Sequence, residues 1–250
     1  MRTTIAMTTL VACLCAGCAN TSTRYQSTNV IATYPKVSAL DLSGIRSLAP
    51  EKGESGTIRY TLSAPARVRI RIVDSDTPGI ILRTLLDWEE RPEGEQVEPW
   101  DGKDQHGQPV NPRRVSVLVV AEPRPQDLDQ TEREALATQE HPEHKHFLHA
   151  PTLCSDLEVL LQTPTPGAVL VGIVHVKAAL GARRGMPNGE YHVVIYLDGR
   201  EVWDGRVNEA YVEKEWDTHN VPNGEHLLAV TFNDLHDHAG SDWLPVQVAN

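Results

Sequence analysis

Aromatic side chains are scarce in this sequence: they make up 5% of its 250 residues, and phenylalanine occurs twice. Glycine and proline occur 17 times each, and few segments have a helix-like pattern. This composition favours many turns and short strands over a helical bundle. The length suits one large domain or two small ones.

Motifs of common catalytic chemistry are also missing. The sequence has no Gly-x-Ser-x-Gly elbow, no His-Glu-x-x-His and no phosphate-binding loop. Carboxylates are abundant, but no pair can be assigned to opposite sides of a cleft. We therefore expect a protein that is not an enzyme, with no catalytic residues and no cofactor.

Positive charge and cysteine are both limited. With 23 Lys and Arg against 34 Asp and Glu, the net charge is -11. Because phosphates would repel such a chain, nucleic acid and anionic lipid surfaces are disfavoured as partners. Cys13, Cys15 and Cys18 lie at the amino terminus, which leaves Cys154 alone in the body. No disulfide can form within the body once the leader is removed.

The amino terminus has the pattern of an export signal. Arg2 precedes an apolar stretch, Ile5 to Leu14, which is too short to span a membrane. The small residues Ala16 and Gly17 then precede Cys18, and this segment resembles the lipobox of bacterial lipoproteins. The resemblance implies cleavage before Cys18, diacylglycerol on its sulfur and a place in the cell envelope, at the outer membrane. An ordinary cleaved signal peptide is the alternative.

Strand patterns begin after a polar segment. We assign residues 1–17 to the signal peptide and 18–44 to a flexible tether, in which Val37 to Leu42 could form an early strand. Residues 45–122 form the first domain, 123–156 a charged, His-rich linker or insertion, and 157–250 the second domain. The predicted fold class is all-β, with two β-sandwiches.

The first domain resembles the Ig-like domain of flagellar hook-capping proteins. The clearest match is Trp100-Asp101-Gly102-x-Asp104-x-x-Gly107. Trp100 can bury its ring, Asp101 and Asp104 can accept hydrogen bonds from turn backbone, and both glycines permit positive φ. Further matches are Tyr60-Thr61-Leu62-Ser63, Pro65-Ala66-Arg67-Val68 and Leu82-Arg83-Thr84-Leu85.

One strand of this domain alternates basic and apolar residues. Val68, Ile70 and Ile72 share one face, and the opposite face carries Arg67, Arg69 and Arg71. We expect the arginines to face solvent, as on a half-buried antiparallel strand. An anion site is the alternative.

The second domain resembles the bacterial Ig-like repeats of surface proteins and multidomain glycoside hydrolases. The most specific match runs from Trp216 to Leu228, and Asp198-Gly199 predicts a hairpin turn. Both resemblances imply a fold and neither implies a substrate.

Four histidines within nine residues form the most concentrated candidate metal site. Neutral imidazole binds zinc, copper or nickel, but the spacing fits no specific zinc motif. The four residues are His141, His144, His146 and His149. A second cluster, His236-Asp237-His238 with Asp234 and Asp242 nearby, could help to hold Ca²⁺, but local turn bonding is the favoured interpretation.

Tryptophan offers one further ligand chemistry, because an exposed indole can stack on a sugar ring. Trp100 and Trp216 occupy core positions of the two resembled families, which leaves Trp88 and Trp203 as candidate stacking residues. Our leading hypothesis is a non-enzymatic envelope lipoprotein that presents Ig-like domains to an envelope protein. A glycan-binding module and a metal-binding lipoprotein are the alternatives.

Overall fold

The structure, a computed structural model, describes residues 35–128, 156–181, 190–234 and 238–250. Nearly all regular structure in these ranges is β-strand, which confirms the predicted all-β class. The chain forms two compact units. The first contains the described residues up to Ser75 and from Leu82 to Leu128, and the second contains Asp76–Ile81 and the described residues from Asp156 onward.

Two three-stranded sheets form the first unit. Their six strands are β1 (Val37–Asp41), β2 (Gly56–Leu62), β3 (Ala66–Asp74), β4 (Ile81–Arg91), β5 (Gly94–Trp100) and β6 (Val115–Pro123). One sheet has the strand order β1-β2-β5 and the other β4-β3-β6. A short helix, α1 (Ser43–Arg46), follows β1.

Strand β1 lies within the range that the sequence assigned to the tether, 18–44. It pairs antiparallel with β2 in a register that places Val37 opposite Leu62. Both side chains are buried. The first sandwich therefore includes part of the predicted tether, as the early strand at Val37 to Leu42 suggested.

Strand β3 is buried on both faces, so the expectation of a solvent-facing arginine row is wrong. Arg67 and Arg69 are each 2% exposed and Arg71 is 9% exposed. The indole ring of Trp88 on β4 lies under the Arg69 guanidinium, with 4.4 Å between Cζ and the ring centroid. On β6, the register places the buried Glu122 opposite Arg67. Apolar and charged groups thus share this covered face.

The turn after β5 has the geometry that its sequence predicts. Trp100 is 1% exposed, and its indole Nε1 donates to the Lys103 carbonyl at 3.0 Å. Asp104 Oδ1 accepts from the backbone N–H groups of His106 and Gln108 at 2.9 and 2.8 Å. Gly102 and Gly107 have positive φ angles of 70° and 75°. The motif is therefore a structural turn that closes on a buried tryptophan.

The second unit pairs a five-stranded sheet with a three-stranded sheet. The strands of the second unit are β7 (Val159–Thr163), β8 (Val169–Leu170), β9 (Ile173–Leu180), β10 (Tyr191–Leu197), β11 (Arg200–Val207), β12 (Tyr211–Asp217), β13 (Gly224–Asp234) and β14 (Ala239–Val248). The larger sheet has the order β11-β10-β13-β14-β8 and the smaller one β12-β9-β7.

The core of the second unit lies between its two sheets. Val176 and Val212 from the smaller sheet share one buried cluster with Ile195, Val230 and Phe232 from the larger sheet. The first two strands divide between the sheets, since β7 joins β9 whereas β8 joins β14 in parallel. This two-sheet arrangement is an Ig-like β-sandwich.

The opposite face of the larger sheet is also covered at its centre. Thr231 alternates with the core residues of β13, so its side chain points away from the core. Its hydroxyl donates to the Gly79 carbonyl at 2.9 Å, and the Ser241 hydroxyl accepts from the Ile81 N–H at 2.9 Å. The segment Asp76–Ile81 therefore lies on this face as part of the second unit.

Candidate functional site

Strand β11 is an open edge of the five-stranded sheet. Within the described residues it pairs with one neighbour, β10, in antiparallel register from Tyr191↔Val207 to Leu197↔Arg200. The strand is eight residues long, and its outward edge is available for backbone hydrogen bonds. An exposed edge of this length is a surface onto which another extended chain can add.

A shift in register divides β11 into two parts. The pairing with β10 is one-to-one from Trp203 to Val207 and changes between Ile195 and Tyr196. The regular part of the edge is therefore the five-residue segment Trp203–Val207. A β-bulge of this kind bends a strand and ends regular pairing.

The side chains of the regular part alternate between the two faces of the sheet. Trp203, Gly205 and Val207 lie opposite core residues of β10, whereas Asp204 and Arg206 lie on the other face. Asp204 Oδ2 is 3.3 Å from His192 Nε2, and Arg206 Nη1 is 2.8 Å from Glu190 Oε1. These contacts are solvent-exposed, so they contribute little to stability and leave both β11 charges accessible.

Trp203 packs against its own unit and does not form an open platform. Its ring is partly buried against the core. The ring lies over Gly205, where an added Cβ would come within 2.6 Å of the indole. The Lys214 ammonium lies 4.7 Å from the ring centroid. These contacts favour a packing role for Trp203 over the predicted sugar stacking.

Trp88, the other predicted stacking residue, is 3% exposed. The prediction of an accessible ring is wrong for this residue, because the indole is buried against the Arg69 guanidinium. Its backbone is also engaged, since the Trp88 carbonyl accepts from Arg67 Nε at 3.1 Å. A sugar ring has no access to an indole in this position.

The turn that begins β11 is held by a histidine from β13. Asp198 and Gly199 have φ angles of 49° and 78°, as the predicted hairpin turn requires. Asp198 Oδ1 accepts from the Leu227 N–H at 2.8 Å, and Asp198 Oδ2 lies 2.6 Å from His226 Nδ1. The other ring nitrogen, Nε2, lies 2.8 Å from the Pro222 carbonyl oxygen.

Both ring nitrogens of His226 thus face acceptors, and only the imidazolium donates from both. The hydrogen bond to Asp198 is the main cause that raises the pKa of His226 above its ordinary 6.5, and it outweighs partial burial, which acts in the opposite direction. His226 therefore links the start of β11 to the loop before β13 in a proton-dependent way.

Hydrogen bonds within the fold account for the residues of the second predicted cluster that the structure describes. Asp234 accepts from the His238 backbone N–H at 2.9 Å and lies 2.5 Å from its Nδ1, and both side chains are buried. Asp242 accepts from the Leu161 N–H at 2.7 Å. Local bonding, the favoured interpretation, accounts for these residues, whereas His236 and Asp237 lie outside the described ranges.

Other predicted sites fall outside the described residues as well. They are Cys18, Cys154 and the four histidines His141, His144, His146 and His149. Within the described part, no group of three or more His, Cys, Asp or Glu side chains is arranged to hold a metal ion. In the same part, no helix has the length and apolar character to cross a membrane.

No family model matches the sequence, and no curated protein matches it. Solved structures that resemble it include an endo-β-1,4-mannanase from Thermotoga petrophila, with 16% identity, a TM-score of 0.32 and 43% of this chain covered. The chain spans 22% of that enzyme's length. The fibronectin(III)-like modules of Clostridium thermocellum CbhA are 22% identical, with a TM-score of 0.28, over 36% of this chain and 96% of theirs.

A CARDB domain from Pyrococcus furiosus, solved with di-metal ions, is 13% identical, with a TM-score of 0.29, over 38% of this chain and 88% of that domain. All three TM-scores are below 0.5, so nothing about ligand or activity follows from these likenesses.

Proposed function

We propose that this chain is a non-enzymatic envelope lipoprotein, anchored through lipid on Cys18, which presents Ig-like domains for protein binding or scaffolding. The anchoring rests on the sequence pattern of the first 18 residues. The binding role rests on one structural observation: β11 is an eight-residue strand with a neighbour on one side in the described part of the chain.

On the larger sheet of the second unit, the edge is a better candidate for the binding surface than the outer face. At the centre of the outer face, Ala229, Thr231 and Ser241 are 2% exposed or less. The segment Asp76–Ile81 forms hydrogen bonds with the side chains of Thr231 and Ser241. On the edge, Glu201, Asp204 and Arg206 are exposed. Backbone hydrogen bonds would supply affinity there, and the alternating side chains would supply specificity.

The chemistry of β11 also specifies what kind of segment fits beside it. On the core side, an added strand would lie next to Trp203, Gly205 and Val207, which favours small or apolar side chains. On the other side it would meet Asp204 and Arg206, which favours charges of both signs. The best partner is therefore an extended protein segment that alternates apolar and charged residues.

Photo-crosslinking in cells tests the binding role. A photoreactive residue is placed at Val202, which is 37% exposed on β11, in the full-length chain. The matched control carries it at His175, whose side chain is 56% exposed on β9, the central strand of the smaller sheet. We expect a discrete protein adduct from position 202 and not from 175. Equal adducts at both positions, or none, would contradict the proposal.

Fatty-acid labelling tests the anchoring separately. The wild-type chain should incorporate labelled fatty acid and sediment with membranes, and Cys18→Ser should lose both properties. Cys154→Ser is the control, because it removes a thiol without touching the lipobox. A wild-type chain that stays unlabelled would disprove lipidation and leave the crosslinking result to stand on its own.

A further inference from the structure

Strand β11 carries a charge pattern that is complementary to itself. In its regular part, Trp203–Val207, the central residue is Gly205, and its two neighbours are Asp204 and Arg206, of opposite sign. Both charged side chains are more than half exposed, at 56% and 66%. This symmetry about one glycine distinguishes the edge from a general binding strand.

Two identical strands pair antiparallel in one sheet when a two-fold axis runs perpendicular to that sheet. Such an axis keeps each side chain on its own face, so paired residues must come from the same face. They are then separated by an even number of positions, and the axis lies midway between one residue and the same residue of the other copy, which we call an axis through that residue.

The axis through Gly205 uses all five regular positions. It places Asp204 opposite Arg206 of a second copy, twice by symmetry, and Trp203 opposite Val207. Opposite charges and apolar side chains directly across an antiparallel ladder stabilise the pairing. Gly205 itself, with no Cβ, lies where the two backbones face each other.

Neighbouring axes give poorer pairings. An axis through Trp203 places Arg200 opposite Arg206 of the other copy, which sets like charges together. An axis through Asp204 recruits Val202, which has no one-to-one partner on β10. An axis through Arg206 places Trp203 opposite Glu209.

We propose that the partner of the β11 edge is a second copy of this chain, paired antiparallel about Gly205 so that the two larger sheets join into one. This inference rests on the proposed function, since it names the occupant of that edge. A ladder of five residues a side is short, and we expect weak association, with a dissociation constant of about 10 µM or higher for untethered chains. Anchoring on one membrane would favour it by raising the local concentration.

Cysteine pairing in membranes tests the register. Two differently tagged full-length copies, both carrying Cys154→Ser, are co-expressed, one with Asp204→Cys and the other with Arg206→Cys, and are treated with a mild oxidant. We expect a disulfide between the two tags. The matched control combines Asp204→Cys with His175→Cys. Equal crosslinking in both combinations, or none in the first, would overturn the proposed pairing.

Charge reversal tests the contact itself. Asp204→Arg and Arg206→Asp should each lower co-purification of the two tagged copies about ten-fold, because each sets like charges opposite each other twice. The double reversal should restore it, since the two signs are exchanged. A double variant as impaired as the single ones would overturn the proposal. Unchanged thermal unfolding of the single variants establishes that the loss is not a loss of fold.

The two proposals fail in distinguishable ways. Adducts from Val202 to other proteins, without chain-to-chain disulfides, would overturn self-pairing and support the proposed binding role. The absence of any adduct from Val202 would contradict both.

Discussion

The guanidinium of Arg69 lies 4.4 Å from the centroid of the Trp88 ring, and both residues are almost completely buried. A cation over an indole is attracted by the ring's electrons, and this attraction strengthens when water is excluded. The pair shows that the arginine face of β3 is buried and that an aromatic ring contacts one of its charges.

We expect Trp88→Ala to lower the free energy of unfolding by about 3–5 kcal/mol, because it leaves a large cavity and removes the aromatic contact of Arg69. Urea denaturation of the full chain measures the change. Glu95→Ala removes an exposed ion pair to Arg59 and should cost about 0.5 kcal/mol or less. A similar small effect at Trp88 would contradict the importance of its burial.

The turn after β5 should depend on one carboxylate. Asp104→Ala removes an acceptor for two backbone N–H groups, and we expect a loss of about 1–3 kcal/mol in unfolding free energy. Gln108→Ala keeps the backbone N–H that Asp104 binds, so it is the control. Equal effects of the two changes would show that the carboxylate is not what holds the turn.

The raised pKa of His226 predicts a pH-dependent contribution to stability. Because the folded pKa exceeds the unfolded value of 6.5, the contribution is complete below that value and is lost as the pH rises through the folded pKa. An NMR titration should place that pKa above 6.5. The protection factor of the Leu227 amide, which corrects for the intrinsic base-catalysed exchange rate at each pH, should fall across the same range, because that N–H binds Asp198.

His226→Gln should abolish the pH dependence of the Leu227 protection factor. His219→Gln changes an exposed histidine of the loop before β13 and should preserve it. A protection factor that stays constant with pH in the wild type would exclude a proton-dependent link at this turn.

A side chain at position 79 should lower the stability of the second unit because of its contact with Tyr196. A Cβ at position 79 would overlap the Tyr196 hydroxyl. We expect Gly79→Ala to destabilise the second unit by about 1 kcal/mol, since the hydroxyl is the far end of a side chain that can move. Tyr196→Phe should restore part of this loss in the double variant. Thermal unfolding of the single and double variants measures the coupling.

Local patterns predicted the turns well. The Trp100 to Gly107 motif and the Asp198-Gly199 hairpin each contain the residue types that their backbone angles require. Such turns depend on a few neighbouring residues, so a short stretch of sequence is enough to specify them.

The sequence patterns did not predict features that depend on residues far apart in the chain. Alternation placed Arg67, Arg69 and Arg71 on one face of β3, but it contains no information on whether that face is covered. The same limit explains the error at Trp88. The bulge in β11 depends on its pairing with β10. The sequence alone therefore does not show that Gly205 is the central residue of the regular part of the strand.

The contacts of Asp76–Ile81 make the second unit discontinuous along the chain. The segment that covers Thr231 and Ser241 is synthesised long before the strands on which it lies. A fragment that starts at Asp156 would therefore leave the centre of the larger sheet's outer face bare. Dissection of this protein into single domains should keep residues 76–81 with the carboxyl-terminal half, for example by circular permutation or by adding the segment as a peptide.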